Sequence, residues 1–184
     1  HGTADNSFKG MNYTEFPHFF ARIKEVKPQL QTASYSDWGP IQSKILSHGD
    51  EVVAEDSHGA AAYVEADARL AKACATHIRE KNPDAVMLYL GQVDETGHAK
   101  GFHPKVPEYI AAIERVDGLI GDVVSAIQSR PTIAEEDWLI IIATDHGGAG
   151  TGHGGGRLNP DIRRTFMIVS GPATVRGKLE EQTY

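Results

Sequence analysis

Two continuous apolar runs, Ala85 to Leu90 and Trp138 to Ala143, constrain this chain more than any other feature. An unbroken apolar run of that length reads as a strand covered on both faces, the pattern of a parallel sheet flanked by helices. Between them Ile110, Ile113, Val116, Leu119, Ile120, Val123, Val124 and Ile127 recur at helical spacing. The three segments together predict a βαβ unit. Its right-handed crossover would bring both strand ends to one edge of one sheet, where open α/β folds place their ligands. Upstream, Phe16, Phe19, Phe20, Ile23 and Val26 trace a short helix between Pro17 and Pro28, and Leu30 to Ser36 can form a strand. Trp38 to Leu46 reads as a short helix entered through Pro40. Val64, Ala68, Ala71, Ala75 and Ile78 mark one face of a longer helix, with Cys74 at its border. Arg164 to Ser170, closed by Gly171 and Pro172, supplies a further strand. At 184 residues the expectation is a single domain, residues 1–184, because domains run to about 150 residues.

The remaining composition mainly excludes. A net charge of −7 provides no broad cationic face for a phosphate backbone, so a nucleic-acid-binding surface is not expected. No apolar run approaches the roughly 20 residues of a membrane span. The single cysteine, Cys74, rules out an internal disulfide and a multi-thiolate metal cluster, and reads as a small buried core residue. Oligomeric state and compartment stay open. The chain opens on His1 without a charged and apolar leader pattern.

The chemistry is concentrated where the two runs end. Gly91-Gln92-Val93-Asp94-Glu95-Thr96-Gly97-His98 follows the first, and Thr144-Asp145-His146-Gly147-Gly148 follows the second. Each strand thus delivers one Asp and one His, and His153, in Gly152-His153-Gly154-Gly155, can return to the same place. An Asp and a His four apart arise often by chance, and Asp145 and His146 could simply serve the turn after a strand. Their joint position at two strand ends carries more weight. Carboxylate and imidazole donors of this kind suit zinc. Glycines 147, 148, 150, 152, 154, 155 and 156 predict a loop whose backbone approaches something closely. His1, His18, His48, His58 and His77 lack an acidic partner at a strand end. His103 lies near enough to line the pocket, but reads first as a loop histidine held by the fold.

With Asp-x-x-Gly-His after one strand counted from Asp94 to His98, Thr-Asp-His-Gly-Gly after the next and Gly-His-Gly-Gly on the return, the chain resembles the alkaline phosphatase superfamily. It is most similar to the type I phosphodiesterase and nucleotide pyrophosphatase branch and its bacterial relatives. The likeness extends to His1-Gly2 and Asp5-Asn6-Ser7-Phe8, and is most specific over residues 88 to 171. It implies a three-layer alkaline-phosphatase-like fold, a mostly parallel sheet with helices on both faces. It also implies a zinc-dependent phosphoric ester hydrolase acting on a small-molecule phosphate ester through two Zn²⁺ ions. Asp94, His98 and His153 would hold one ion, and Asp145 and His146 the other. The family completes the second site with an upstream Asp and a Thr or Ser nucleophile, in a segment preceding His1-Gly2. The expectation is therefore the metal-binding part of a longer hydrolase, incomplete at both ends and inactive alone. Family habit favours an exported or periplasmic enzyme. A sulfatase, whose modified Cys or Ser motif Cys74 does not match, a phosphomutase or phosphonate hydrolase, and a non-catalytic metal-binding module are the alternatives.

Overall fold

The structure, a computed structural model, describes residues 13, 15–46 and 48–177. His1-Gly2 and Asp5 to Phe8, which contribute to the resemblance, lie outside the described residues. A three-stranded parallel sheet organises the first half, with β1 (Thr32–Ser36) between β2 (Glu51–Ala54) and β3 (Ala85–Leu88). Ser34 of β1 stands beside Val52 on one side and Met87 on the other. β1 is buried along its whole length, as a central strand must be. β2 has no counterpart in the sequence reading, since Glu51-Val-Val-Ala is too short to announce a period.

Alternation along the strands sends side chains to two different cores. Ala33, Tyr35, Val86 and Leu88 pack with Leu70, Cys74, Ala75 and Ile78 of α2 (Ala60–Glu80), and with Ala126 and Ile127 of α4 (Pro107–Gln128). Ala85, Met87 and Tyr89 pack instead with Phe20 of α1 (Phe19–Val26), and with Ile41 and Leu46 around a short π-helical turn, Ile41–Ile45. The sheet is therefore clothed on both faces, giving the three layers expected. Trp38 to Leu46 differs from its sequence reading only in coiling more widely than an α-helix. α1 starts where His18 Nδ1 accepts the Ala21 N–H at 3.3 Å, which supplies the first-turn donors with a partner.

The second apolar run departs from expectation. β4 (Ile140–Ala143) pairs antiparallel with β5 (Met167–Ser170), Ile141 opposite Val169. Among the described residues β3 and β4 belong to separate sheets, so they do not form the βαβ unit that the pattern predicts. Nor is β4 covered on both faces. Ile140 and Trp138 reach the α2/α4 core, whereas Leu139 is 62% and Ile141 57% exposed. A run of apolar residues states that both faces could be buried; whether layers arrive to bury them depends on segments far away in sequence.

The far end of this half is tied down by Arg130, only 5% exposed. Its guanidinium donates to both Glu136 carboxylate oxygens at 2.7 Å, and to the Ile78 carbonyl and Asn82 Oδ1. It also lies 5.6 Å over the Trp138 ring. The end of α4, the end of α2 and the approach to β4 are thereby joined by one planar cation.

Candidate metal centre

β3 gives way at Gly91 to α3 (Gln92–Lys100), so Asp94 and His98 stand one turn apart on a single helix. His98 Nε2 lies 3.4 Å from Asp94 Oδ2, and His153 Nε2 lies 3.8 Å from Asp94 Oδ1. One ligand atom from each of Asp94, His98 and His153 lies within 4.8 Å of the others, the one such group among the described residues. The His98 and His153 rings have centroids 4.8 Å apart, and the His146 ring lies 4.0 Å from that of His153. Four of the five residues expected from the sequence therefore meet. Asp145 stands at the edge of this group: its side chain is 76% exposed, and its Oδ2 lies 3.6 Å from His146 Nε2.

Local hydrogen bonds orient these rings. His98 Nδ1–H donates to the Thr151 carbonyl at 3.0 Å, and His146 Nδ1–H to the Gly147 carbonyl at 2.9 Å. A carbonyl can only accept, so both imidazoles carry their proton on Nδ1 and keep the Nε2 lone pair for a ligand, the arrangement usual for metal-binding histidine. Asp94 Oδ1 is buried and has no hydrogen-bond donor. A carboxylate oxygen left bare in that way costs about 1–3 kcal/mol or more, unless a cation meets it.

Phe102, absent from the sequence reading, is what holds the loop to the helix. A Cβ on Gly97 of α3 would stand 2.3 Å from the Phe102 ring, and one on Gly148 would stand 2.2 Å from it. The ring thus lies between two glycines from different segments, edge-on to His98 at 5.3 Å and to His153 at 6.3 Å. The Phe102 N–H also donates to the Gly150 carbonyl at 2.7 Å. The close backbone approach expected of the glycine-rich loop is an approach to this aromatic ring. The signal for it was present in the order Gly-Phe-His, where His103 drew attention. His103 itself accepts the Lys105 N–H at 3.1 Å and serves its own turn.

Three tyrosines complete the surroundings. Burial, with the nearby Asp94 carboxylate adding to it, raises the phenols of Tyr63, to about 12, and of Tyr89 and Tyr109. They remain neutral hydroxyls and bring no positive charge to Asp94. His18, His48, His58 and His77 lie elsewhere: His58 Nε2 stands 3.6 Å from Asp56, and His18 stacks on His48. Cys74 is fully buried, which pushes its thiol up to about 12 and leaves it a core residue.

The model of the type I phosphodiesterase / nucleotide pyrophosphatase family matches residues 8–180. The chain belongs to that family. As a type I phosphodiesterase relative it falls within the alkaline phosphatase superfamily, in agreement with its helix-flanked parallel sheet. The family consists of metal-dependent hydrolases of small phosphate esters. No curated protein matches the chain. No helix among the described residues is long and apolar enough to cross a membrane.

Proposed function

We propose that Asp94, His98 and His153 hold a zinc ion that serves the hydrolysis of a phosphate ester, and that Asp145 and His146 belong to a second zinc beside it. The observation that carries this reading is the buried, donorless Asp94 Oδ1 with two imidazole Nε2 atoms turned towards its carboxylate. Two ligand atoms sharing a tetrahedral zinc with bonds of about 2.0–2.2 Å lie roughly 3.4 Å apart, close to the 3.4 and 3.8 Å found here. A nitrogen and carboxylate donor set suits zinc better than calcium or magnesium, which take oxygen ligands. Bound there, zinc would supply Lewis acidity to the phosphate oxygens and lower the pKa of a nucleophilic hydroxyl.

The chain's own residues have separate tasks. Asp94 brings the negative charge, while the Thr151 carbonyl fixes the His98 tautomer and the Gly147 carbonyl that of His146. Phe102 excludes water from one side of the imidazoles. Asp145 Oδ2 stands 3.6 Å from His146 Nε2, and the second position, with two ligands against three, is the weaker one. Two ions also reverse the local sign of an acidic chain and allow an anionic ester to approach.

Zinc titration of the metal-free chain tests this. One tight equivalent and one weaker equivalent are expected. His98→Ala should weaken the tight equivalent by about 10–100-fold or more, the scale seen even for second-shell losses, and His146→Ala should affect only the weak one. Equal zinc retention by His98→Ala and the parent would overturn the assignment. Binding of a phosphodiester, but not of a sulfate ester, to the zinc-loaded chain, in competition with orthovanadate, would support the phosphate class.

A further inference from the structure

Behind the ligand helix lies a second pair of acids that the metal site does not use. Asp67, on α2, is completely buried, and Asp37, just after β1, is 1% exposed. α3 has no capping side chain of its own at Gly91. Asp67 does that work from another helix: Oδ1 accepts the Gly91 N–H at 3.0 Å, and Oδ2 accepts the Gln92 N–H at 3.1 Å and the Gln92 Nε2–H at 2.8 Å. Gln92 Oε1 in turn accepts from Arg115 Nε of α4 at 3.0 Å. Asp37 has the opposite character. Neither of its oxygens finds a donor, although both are buried. Its Oδ1 lies 3.1 Å from where a Cβ on Gly91 would sit, so both carboxyl groups flank the same glycine.

Two carboxylates cannot both be ionised in such a place, because neither can lose water and stand beside its like without large cost. Asp67 faces three N–H donors and the positive end of a helix, so it works as the anion. Asp37 faces Asp67 and the Tyr63 phenol from α2, the Tyr89 phenol after β3 and the Gly91 backbone, with no cation among them. An added proton removes the anomaly: a protonated Asp37 has an O–H to donate, and Asp67 is the acceptor within reach.

We propose that Asp37 and Asp67 form a proton-sharing carboxyl pair that positions α3. Asp67, ionised, caps the helix from outside; Asp37, neutral, donates its hydrogen bond to Asp67 and holds that carboxylate on the Gly91 and Gln92 amides. Burial first, and the neighbouring Asp67 after it, raise the pKa of Asp37 in the sense this requires. Because Asp94 sits two residues beyond Gln92 and His98 one turn further, the pair sets the direction from which both ligands arrive. This consequence rests on the zinc reading; the pair itself does not. Both acids are positioning residues, remote from the reacting atoms.

The test compares Asp37→Asn, Asp37→Ala and Asp67→Asn in the 184-residue chain. An asparagine at 37 keeps a donor and removes the proton, so Asp37→Asn should match the parent in amide exchange at Gly91 and Gln92 and in zinc affinity. Asp37→Ala and Asp67→Asn should each speed that exchange by about tenfold or more, the factor that corresponds to about 1.4 kcal/mol, and weaken zinc. The infrared band of a protonated carboxyl at pH 7 should be present in the parent and missing from Asp37→Asn. If Asp67→Asn does not fold, the contrast between Asn and Ala at position 37, with the infrared band, still decides. Asp37→Asn as damaging as Asp67→Asn would mean that charge is needed at both positions and would overturn the pair. So would a parent lacking the band. Exchange and infrared are read without metal, so a parent that binds no zinc defeats the zinc reading alone.

Discussion

A carboxylate oxygen buried without a donor, as at Asp94 Oδ1, is a residue-level debt that hydrogen bonds elsewhere in the chain do not settle. The opposite case is also present. Lys24 Nζ lies 2.6 Å from Asp50 Oδ2, which also accepts from Thr32, and these hydrogen bonds hold the Asp50 carboxyl down at about 2. Arg130, with Thr132 and Trp138, does the same for Glu136. Carboxyls depressed in the fold contribute stability that is present above the ordinary carboxylate range and lost as pH falls towards about 2. Asp37 has the reverse sign: its acid form is favoured by the fold, so its contribution is full below the ordinary carboxylate range, declines as pH rises above it, and is gone beyond about 9. Unfolding midpoints measured against pH should therefore fall on both sides, with Asp37→Asn flattening the decline that runs from neutral pH to about 9 and Glu136→Gln the one towards about 2. Gly148→Ala should loosen the loop, since the added methyl would meet the Phe102 ring. Faster proteolysis within residues 147–156 than in the parent is the expected result.

Periodicity located most elements but misjudged one face. The α2 pattern from Val64 to Ile78 placed Ala68 among the buried positions, whereas the buried set is Tyr63, Ala66, Asp67, Leu70, Ala71, Cys74, Ala75 and Ile78. Hydrophobic spacing has no means of nominating an aspartate as a core residue, so Asp67 stayed invisible until its three donors were in place. β4 shows the converse, an apolar strand with one face left in solvent. The two elements should answer differently to truncation. Leu70→Ala, in the fully buried core, should cost about 2–5 kcal/mol in denaturant unfolding. Ile141→Ala, on the exposed face, should cost under about 1 kcal/mol. A large loss at Ile141 would mean that the face is covered in solution.

Over the whole molecule, the proposed ligands arise from segments that no sheet unites among the described residues. Asp94 and His98 follow a strand of the parallel sheet, whereas His146 and His153 follow a strand of the antiparallel pair. An ion bound between them would therefore tie the two sheets together and stabilise the folded chain. At a zinc concentration 100 times Kd the gain is about 2.7 kcal/mol, seen as a raised thermal midpoint that chelation reverses. His153→Ala should abolish most of that rise without altering the metal-free midpoint greatly, because the ring is partly exposed.

By itself the sequence determined that two strands would end in Asp and His side chains, that a glycine-rich return would bring His153 back, and that helices would cover a parallel sheet. Those are local matters, set by periods of two and 3.6 residues and by residue chemistry. Only the tertiary structure decided that β3 and β4 would take different partners, that Phe102 would join α3 to the loop, and that Asp37 and Asp67 would be buried together. Each depends on which distant segments come into contact, and a single residue's character does not encode its neighbour across the fold.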